Sequence, residues 1–242
     1  MNNIEIILIL LIISIFIILL SILNNAFKID YFNVSDEIIE NNNTKYTAFY
    51  INLDTRVDRK NQIENEFKKQ DFINFNRFNA IKNKKGYIGC SKSHLECLKI
   101  AKQNKYPNVI IFEDDFEFLV GKKEFHNILN HLLNIDYDVF ILSYNTSLKN
   151  IKKTKDALIN KIKNTQTASG YIVNEKYYDI LIKNFEDGLY LLETTDKYSK
   201  YAIDQYWKQL QEKDKWFCYI KRIGKQRESY SDIEKRNVKY KV

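Results

Sequence analysis

The chain has 242 residues, among them 6 Gly, 1 Pro and 3 Cys, with 38 basic and 31 acidic side chains for a net charge of +7. That length suits one domain with a substantial core, and an odd number of cysteines excludes a disulfide framework. Asn, Ile, Lys and Tyr are abundant throughout, so Lys-rich and Asn-rich patches are discounted as functional signals.

In chain order, residues 4–23 come first. From Ile6 to Leu23 the run is apolar except for Ser14 and Ser21. As a helix it would cover ~27 Å at ~1.5 Å per residue, close to the ~30 Å of a bilayer core. The leader has Glu5 but no Lys or Arg, and Leu23-Asn24-Asn25-Ala26 is a poor cleavage site. Residues 4–23 are therefore expected to be an uncleaved, single-pass membrane anchor. Its orientation stays open, because Lys28 is the only basic residue near the span. Residues 24–45 are polar and Asn-rich, as expected of a stem. Residues 1–45 hold 2 Lys and 5 acids, which leaves 36 basic and 26 acidic residues beyond them, net +10. Such a balance suits an anionic substrate or surface, or reflects only the Lys-rich bias. Residues 236–242 form a basic tail. Without a stacking platform or a known motif, no nucleic acid is expected as a partner.

Residues 46–235 alternate strands and helices. Tyr46–Leu53 reads as a strand, Arg56–Lys69 as a helix with Ile63 and Phe67 inward, and Asn76–Ile81 as a short strand. Residues 82–89 read as a loop, followed by a helix over Ser91–Gln103. Strands are expected at Val109–Phe112, Val139–Leu142, Ala168–Val173 and Trp216–Ile220. Helices are expected near Phe125–Leu133, Glu175–Asn184 and Ala202–Gln211. The pattern predicts one α/β domain with a mostly parallel, Rossmann-like sheet.

Val109-Ile110-Ile111-Phe112 ends abruptly in Glu113, Asp114 and Asp115. Strands buried on both faces read as unbroken apolar runs. Carboxylates crowded at the carboxyl end of such a strand repel one another, and that edge is where open α/β sheets bind ligands. Oxygen ligands there suit Mg²⁺ or Mn²⁺ holding a phosphate. The plainer alternative is a solvated acidic turn. Cys90, His94 and Cys97 suggest zinc, but three ligands on one helix with no obvious fourth argue against it.

Six blocks then stand in order: Tyr50-Ile51-Asn52-Leu53-Asp54-Thr55-Arg56-Val57-Asp58-Arg59; Gly89-Cys90-Ser91-Lys92-Ser93-His94-Leu95; Ile110–Phe116; Thr167–Val173; Ala202-Ile203-Asp204-Gln205; and Gln226–Ile233. The ordered set resembles glycosyltransferase family 25, which includes bacterial lipooligosaccharide galactosyltransferases and procollagen galactosyltransferases. The composition and the Gln-x-x-Ser-Tyr-Ser-Asp-Ile ending resemble large-DNA-virus members.

The resemblance implies a GT-A type domain, Mn²⁺ (or Mg²⁺), and inverting transfer of galactose or glucose from a UDP-sugar to a hydroxyl of a glycan or protein. It matches the metal-binding acids to Glu113-Asp114-Asp115, with Asp115 as ligand and Glu113 or Asp114 on ribose or a metal-bound water. It places Asp204 as the base, with Asp232 as a second candidate. Arg56 and Arg59, after the first strand, are candidates for diphosphate and Asn52 for uracil or ribose. Gly89, Ser91 and His94 lie near a helix amino terminus that faces the donor. Two rivals are a non-catalytic sugar- or nucleotide-binding homologue and a metal-dependent phosphohydrolase. The latter would need an Asp-x-Asp-x-Thr element that Glu113-Asp114-Asp115-Phe116-Glu117 does not supply.

Overall fold

The computed structural model describes residues 12–19, 36–231 and 235–238. Residues 12–19 are helical (α1), and Ile12, Phe16 and Ile17 are exposed. Among the described residues no helix is long and apolar enough to cross a membrane. The rest of the expected anchor, 4–23, lies outside them, as do residues 24–35 of the stem and Asp232.

Residues 34–242 form a second, separate unit. Within it an eight-stranded sheet runs in the order β2 (Phe75–Asn79), β1 (Thr47–Asn52), β3 (Asn108–Glu113), β8 (Gly170–Asn174), β5 (Val139–Ile141), β9 (Trp216–Tyr219), β7 (Ile159–Ile162), β6 (Ile151–Lys153). Strand β3 explains why its run has no polar alternation. Val109 and Ile111 join the core on one face, and Ile110 and Phe112 join the core on the other. Helices α4 (Gly86–Gln103) and α6 (Tyr178–Thr195) cover the first face with Leu95, Leu98, Leu181 and Phe185. Helices α3 (Val57–Lys69) and α5 (Lys122–Leu132) cover the second with Ile63, Phe67, Phe125 and Leu129. The result is a three-layer α/β/α sandwich.

The expectation of a mostly parallel sheet needs correcting. β1 pairs in parallel with β2 and β3, and β5 with β9, but β8 runs antiparallel between β3 and β5, and β7 and β6 are antiparallel too. Antiparallel strands need no helical crossover, so the chain after β5 can double back through β6 and β7 and insert β8. This has a consequence for the site. Gly170, the first residue of β8, pairs with Phe112 near the carboxyl end of β3, and the Glu113 N–H donates to Ser169 O at 2.9 Å. The loop before β8 is thereby held beside the acids.

Other elements depart from expectation as well. Residues 36–45, assigned above to the stem, form helix α2 (Asp36–Lys45). Its buried Asn42 donates to His126 O at 2.8 Å and lies 3.3 Å from His126 Nδ1. Helix α4 begins at Gly86, inside the expected loop. Helix α6 continues past Asn184 to Thr195, and Gly188 within it leaves room for the Tyr206 ring, which a Cβ would approach to 2.8 Å. The single helix expected over Ala202–Gln211 is broken into α8 (Ile203–Tyr206) and α9 (Lys208–Gln211), preceded by α7 (Tyr198–Tyr201); Ala202 is extended, with ψ at 151°. Two small antiparallel pairs stand beside the main sheet: β4 (Phe116–Phe118) with β10 (Gly224–Gln226), distant in sequence, and the hairpin of β11 (Ser229–Ser231) with β12 (Arg236–Val238).

Candidate active site

Glu113 closes β3, and Asp114 and Asp115 turn the chain into β4. The turn gives the three acids different partners. Asp114 faces Arg59 and Asn52: Arg59 Nη1 donates to its Oδ1 at 2.8 Å and Asn52 Nδ2 to its Oδ2 at 2.7 Å. Glu113 and Asp115 instead share Gln226, whose Nε2 donates to Asp115 Oδ2 at 3.3 Å and Glu113 Oε2 at 3.5 Å. The Arg227 N–H donates to Asp115 O at 2.7 Å and ties the chain after β10 to the turn. Phe116 fixes the other side of the turn. Its ring fills the space above Gly170 and Gly224, where a Cβ would come within 2.4 and 2.0 Å of it.

Burial, followed by the negative charges of Glu113 and Asp114, pushes the Asp115 carboxyl up to about 7, against the pull of Arg59 and Gln226. Burial also raises Asp114, and Arg59 and Asn52 offset part of that rise. Burial opposes ionisation of Glu113 too, but contacts with His94, Cys90 and Arg59 outweigh it and hold that carboxyl below its ordinary value. Asp115 Oδ1 is buried without a hydrogen-bond partner. An orphaned carboxylate oxygen beside a second carboxylate is a donor set that fits Mg²⁺ or Mn²⁺. Asp115 and Glu113 are the residues that would hold such an ion.

The loop before β8 brings in Asp204. Thr167 is a β-branched residue at φ 91°, in the left-handed region such residues avoid. In that conformation its N–H donates to Asp204 Oδ2 at 3.1 Å, while Gln205 Nε2 donates to Oδ1 at 3.2 Å. Burial, and next to it the Glu113 charge, raises the Asp204 carboxyl above its ordinary value despite those donors and Lys208. The loop from Thr167 to Ser169 thus ties Asp204 to Glu113, although Asp204 lies 89 positions beyond Asp115 in sequence.

The remaining candidates take supporting roles. Asn52 is buried with its amide fully engaged: Nδ2 donates to Asp114 and Arg56 O, and Oδ1 accepts from Arg77 Nε at 3.0 Å. Arg59 is buried against Asp114 and Asp115, and its Nη2 donates to Ser229 Oγ at 2.7 Å and Tyr230 O at 2.8 Å. It therefore sets a positive charge beside two of the three acids. Arg56 pairs with Asp58 at 2.9 Å. Because α4 starts at Gly86, Gly89, Ser91 and His94 lie inside the helix and not at its amino terminus. Gly89 lets the helix approach Ile81 O, which a Cβ would meet at 2.3 Å. Ser91 Oγ donates to Tyr87 O. His94 is buried between Tyr171 and Glu113. Sequence reasoning quoted Gln226 within a motif but gave it no role. It gave Thr167 none either, since no local signal announces a backbone N–H aimed at a distant carboxylate.

Residues 84–206, just over half the chain, match the family model "Glycosyltransferase family 25 (LPS biosynthesis protein)". No curated protein matches. Three solved structures are similar at low identity. A197 from STIV is 10% identical with a TM-score of 0.42, over 72% of this chain and 81% of its own. A mannose-1-phosphate geranyltransferase from Thermus thermophilus is 7% identical with a TM-score of 0.44, over 76% and 74%. A glycosyltransferase involved in glycosylation of the major capsid of PBCV-1 is 8% identical with a TM-score of 0.40, over 72% and 93%. Those likenesses are loose, and the assignment rests on the family match together with the acid cluster inside it. The class is that of sugar-transferring α/β enzymes. The chain belongs to glycosyltransferase family 25.

Proposed function

We propose that this protein is an inverting, divalent-cation-dependent transferase. It moves a hexose, galactose or glucose, from a UDP-sugar to a hydroxyl of a glycan or protein. The observation that carries this reading is the carboxylate pair at the carboxyl end of β3, the partly exposed Glu113 and the buried Asp115, with one Asp115 oxygen unpartnered. A divalent cation held by Asp115 and Glu113, Mn²⁺ or Mg²⁺, would offset the charge that develops on the departing diphosphate.

Asp204 supplies the base. The acceptor oxygen attacks the anomeric carbon, the bond from that carbon to the UDP oxygen breaks, and the acceptor proton passes to an Asp204 oxygen. A carboxyl raised above its ordinary value is better matched to proton transfer near neutral pH. Its two hydrogen bonds leave lone pairs free on both oxygens. Arg59 and Asn52 hold Asp114, and through it the geometry of the turn.

The anchor at 4–23, with the domain on a stem behind it, belongs to the same proposal. It would tether the enzyme to a membrane whose side is open. The test is a UDP-sugar screen for nucleotide release by the full chain, with Mn²⁺ and with EDTA. Release selective for one donor and abolished by EDTA is expected. Donor binding without turnover on any acceptor would favour the non-catalytic reading, and neither binding nor turnover from folded protein would sink both.

A further inference from the structure

The two oxygens of Glu113 face different surroundings. Oε2 lies toward Gln226 and the acid cluster, as described above. Oε1 lies 3.5 Å from Cys90 Sγ and 3.3 Å from His94 Nε2. Cys90 and His94 are four apart on α4 and so share one helix face. We propose that Cys90, His94 and Glu113 Oε1 form a second cation site, one that takes a thiophilic divalent ion of the Zn²⁺ class.

The spacing supports this. With Zn–S of about 2.3 Å, Zn–N and Zn–O of about 2.0 Å and tetrahedral angles, ligand atoms lie about 3.5 Å (S to O) and about 3.3 Å (N to O) apart. Both edges already stand at those lengths, and all three ligand atoms lie within 4.8 Å of one another. The ring of His94 is oriented from behind, its Nδ1 2.9 Å from the buried Tyr171 hydroxyl. A hydrogen bond at the far nitrogen is what fixes a metal-ligating histidine. A hydroxyl both donates and accepts, so the imidazole can move its proton to Nδ1 and free Nε2 for the ion. Cys90 binds as thiolate, and its proton leaves to solvent as the Zn–S bond forms.

Cys97, which a helix-only reading offered as the third ligand, is buried in the core, and Glu113 from β3 takes its place. Three protein ligands leave a fourth position open, and Cys90 and the partly exposed Glu113 give it a route to solvent. Sulfur and imidazole separate this site from the all-oxygen one, because thiolate selects zinc-like ions over Mg²⁺ or Mn²⁺. The inference does not depend on which donor or acceptor the enzyme uses.

The test is titration of the full chain with Co²⁺ as a spectroscopic substitute for Zn²⁺. A thiolate-to-cobalt absorption band is expected at one equivalent. It should vanish in Cys90→Ser, persist in Asp115→Asn, and be displaced by Zn²⁺ but not by Mg²⁺. Loss of the Cys90 ligand should weaken Zn²⁺ binding by roughly 100-fold or more. No band in folded wild-type protein, or an unchanged band in Cys90→Ser, overturns the proposal. Should Cys90→Ser fail to fold, alkylation of Cys90 in the unmodified chain decides: Zn²⁺ slows it if the site exists, and equal rates with and without Zn²⁺ overturn it.

Discussion

Arg59 is the residue on which the acid cluster depends. Three carboxylates within one turn are costly to bury, and Arg59 is the buried guanidinium that meets two of them. Removing it leaves Asp114 and Asp115 uncompensated. Arg59→Ala should therefore cost ~3–5 kcal/mol, the usual loss when one partner of a buried pair is deleted. Thermal or urea unfolding measures it, and a loss under ~1 kcal/mol would show that the pair is not buried in solution. Asp204 calls for a different signature. If it is the base, Asp204→Asn should lower kcat by ~10²–10⁴ while donor affinity stays within a few-fold. A loss confined to KM would move Asp204 from proton transfer to acceptor binding.

Two elements carry predictions of their own. Helix α2 docks through Asn42 onto His126, whose Nε2–H donates to Gln70 O at 2.6 Å while Nδ1 meets the Asn42 amide. Both ring nitrogens are used by the neutral form, and burial holds His126 below its ordinary value of 6.5. As pH falls, the unfolded chain takes up this proton first. The stability contributed by neutral His126 is therefore complete above about pH 6.5 and is lost as pH falls below it. Proteolysis or hydrogen exchange over residues 36–45 should show α2 loosening between pH 7 and pH 5. His126→Gln should flatten that dependence, and an unchanged pH profile in the variant would contradict the assignment. At the start of β8, Gly170→Ala forces a methyl against Phe116. Overpacking of this kind costs ~1–3 kcal/mol, readable from the unfolding midpoint. An unaffected midpoint would mean that Phe116 moves aside freely.

Strands β1, β3, β5, β8 and β9 were legible because burial on both faces writes a continuous apolar run into the sequence. Strands β4, β6, β7 and β10 to β12 were not. Each is three or four residues long, and most carry Lys, Arg, Asn or Ser, so no periodicity can accumulate. The far half of α6 was missed: the expected helix stopped at Asn184, whereas α6 runs on through Gly188, whose missing side chain admits a ring from elsewhere in the chain.

For the whole molecule, what was legible was the acid cluster, and what was hidden was its partners. Three acids after an apolar strand form a local signal, whereas the link from Asp204 to Glu113 runs through an antiparallel strand and one strained residue, Thr167. That link exists only once the sheet is assembled. The sheet thus does the positioning: parallel β1 and β3 deliver Asn52 and the acids to one edge, and antiparallel β8 returns the chain to the same edge with Asp204 in tow. In the proposed reaction the cluster binds the donor's diphosphate through a divalent cation at Asp115. The most direct measurement is calorimetric binding of UDP to the full chain with and without Mn²⁺, repeated on Asp115→Ala. UDP binding is expected to need Mn²⁺ in the wild type and to weaken at least ~10-fold in Asp115→Ala. UDP binding indifferent both to Mn²⁺ and to the substitution would contradict the proposal.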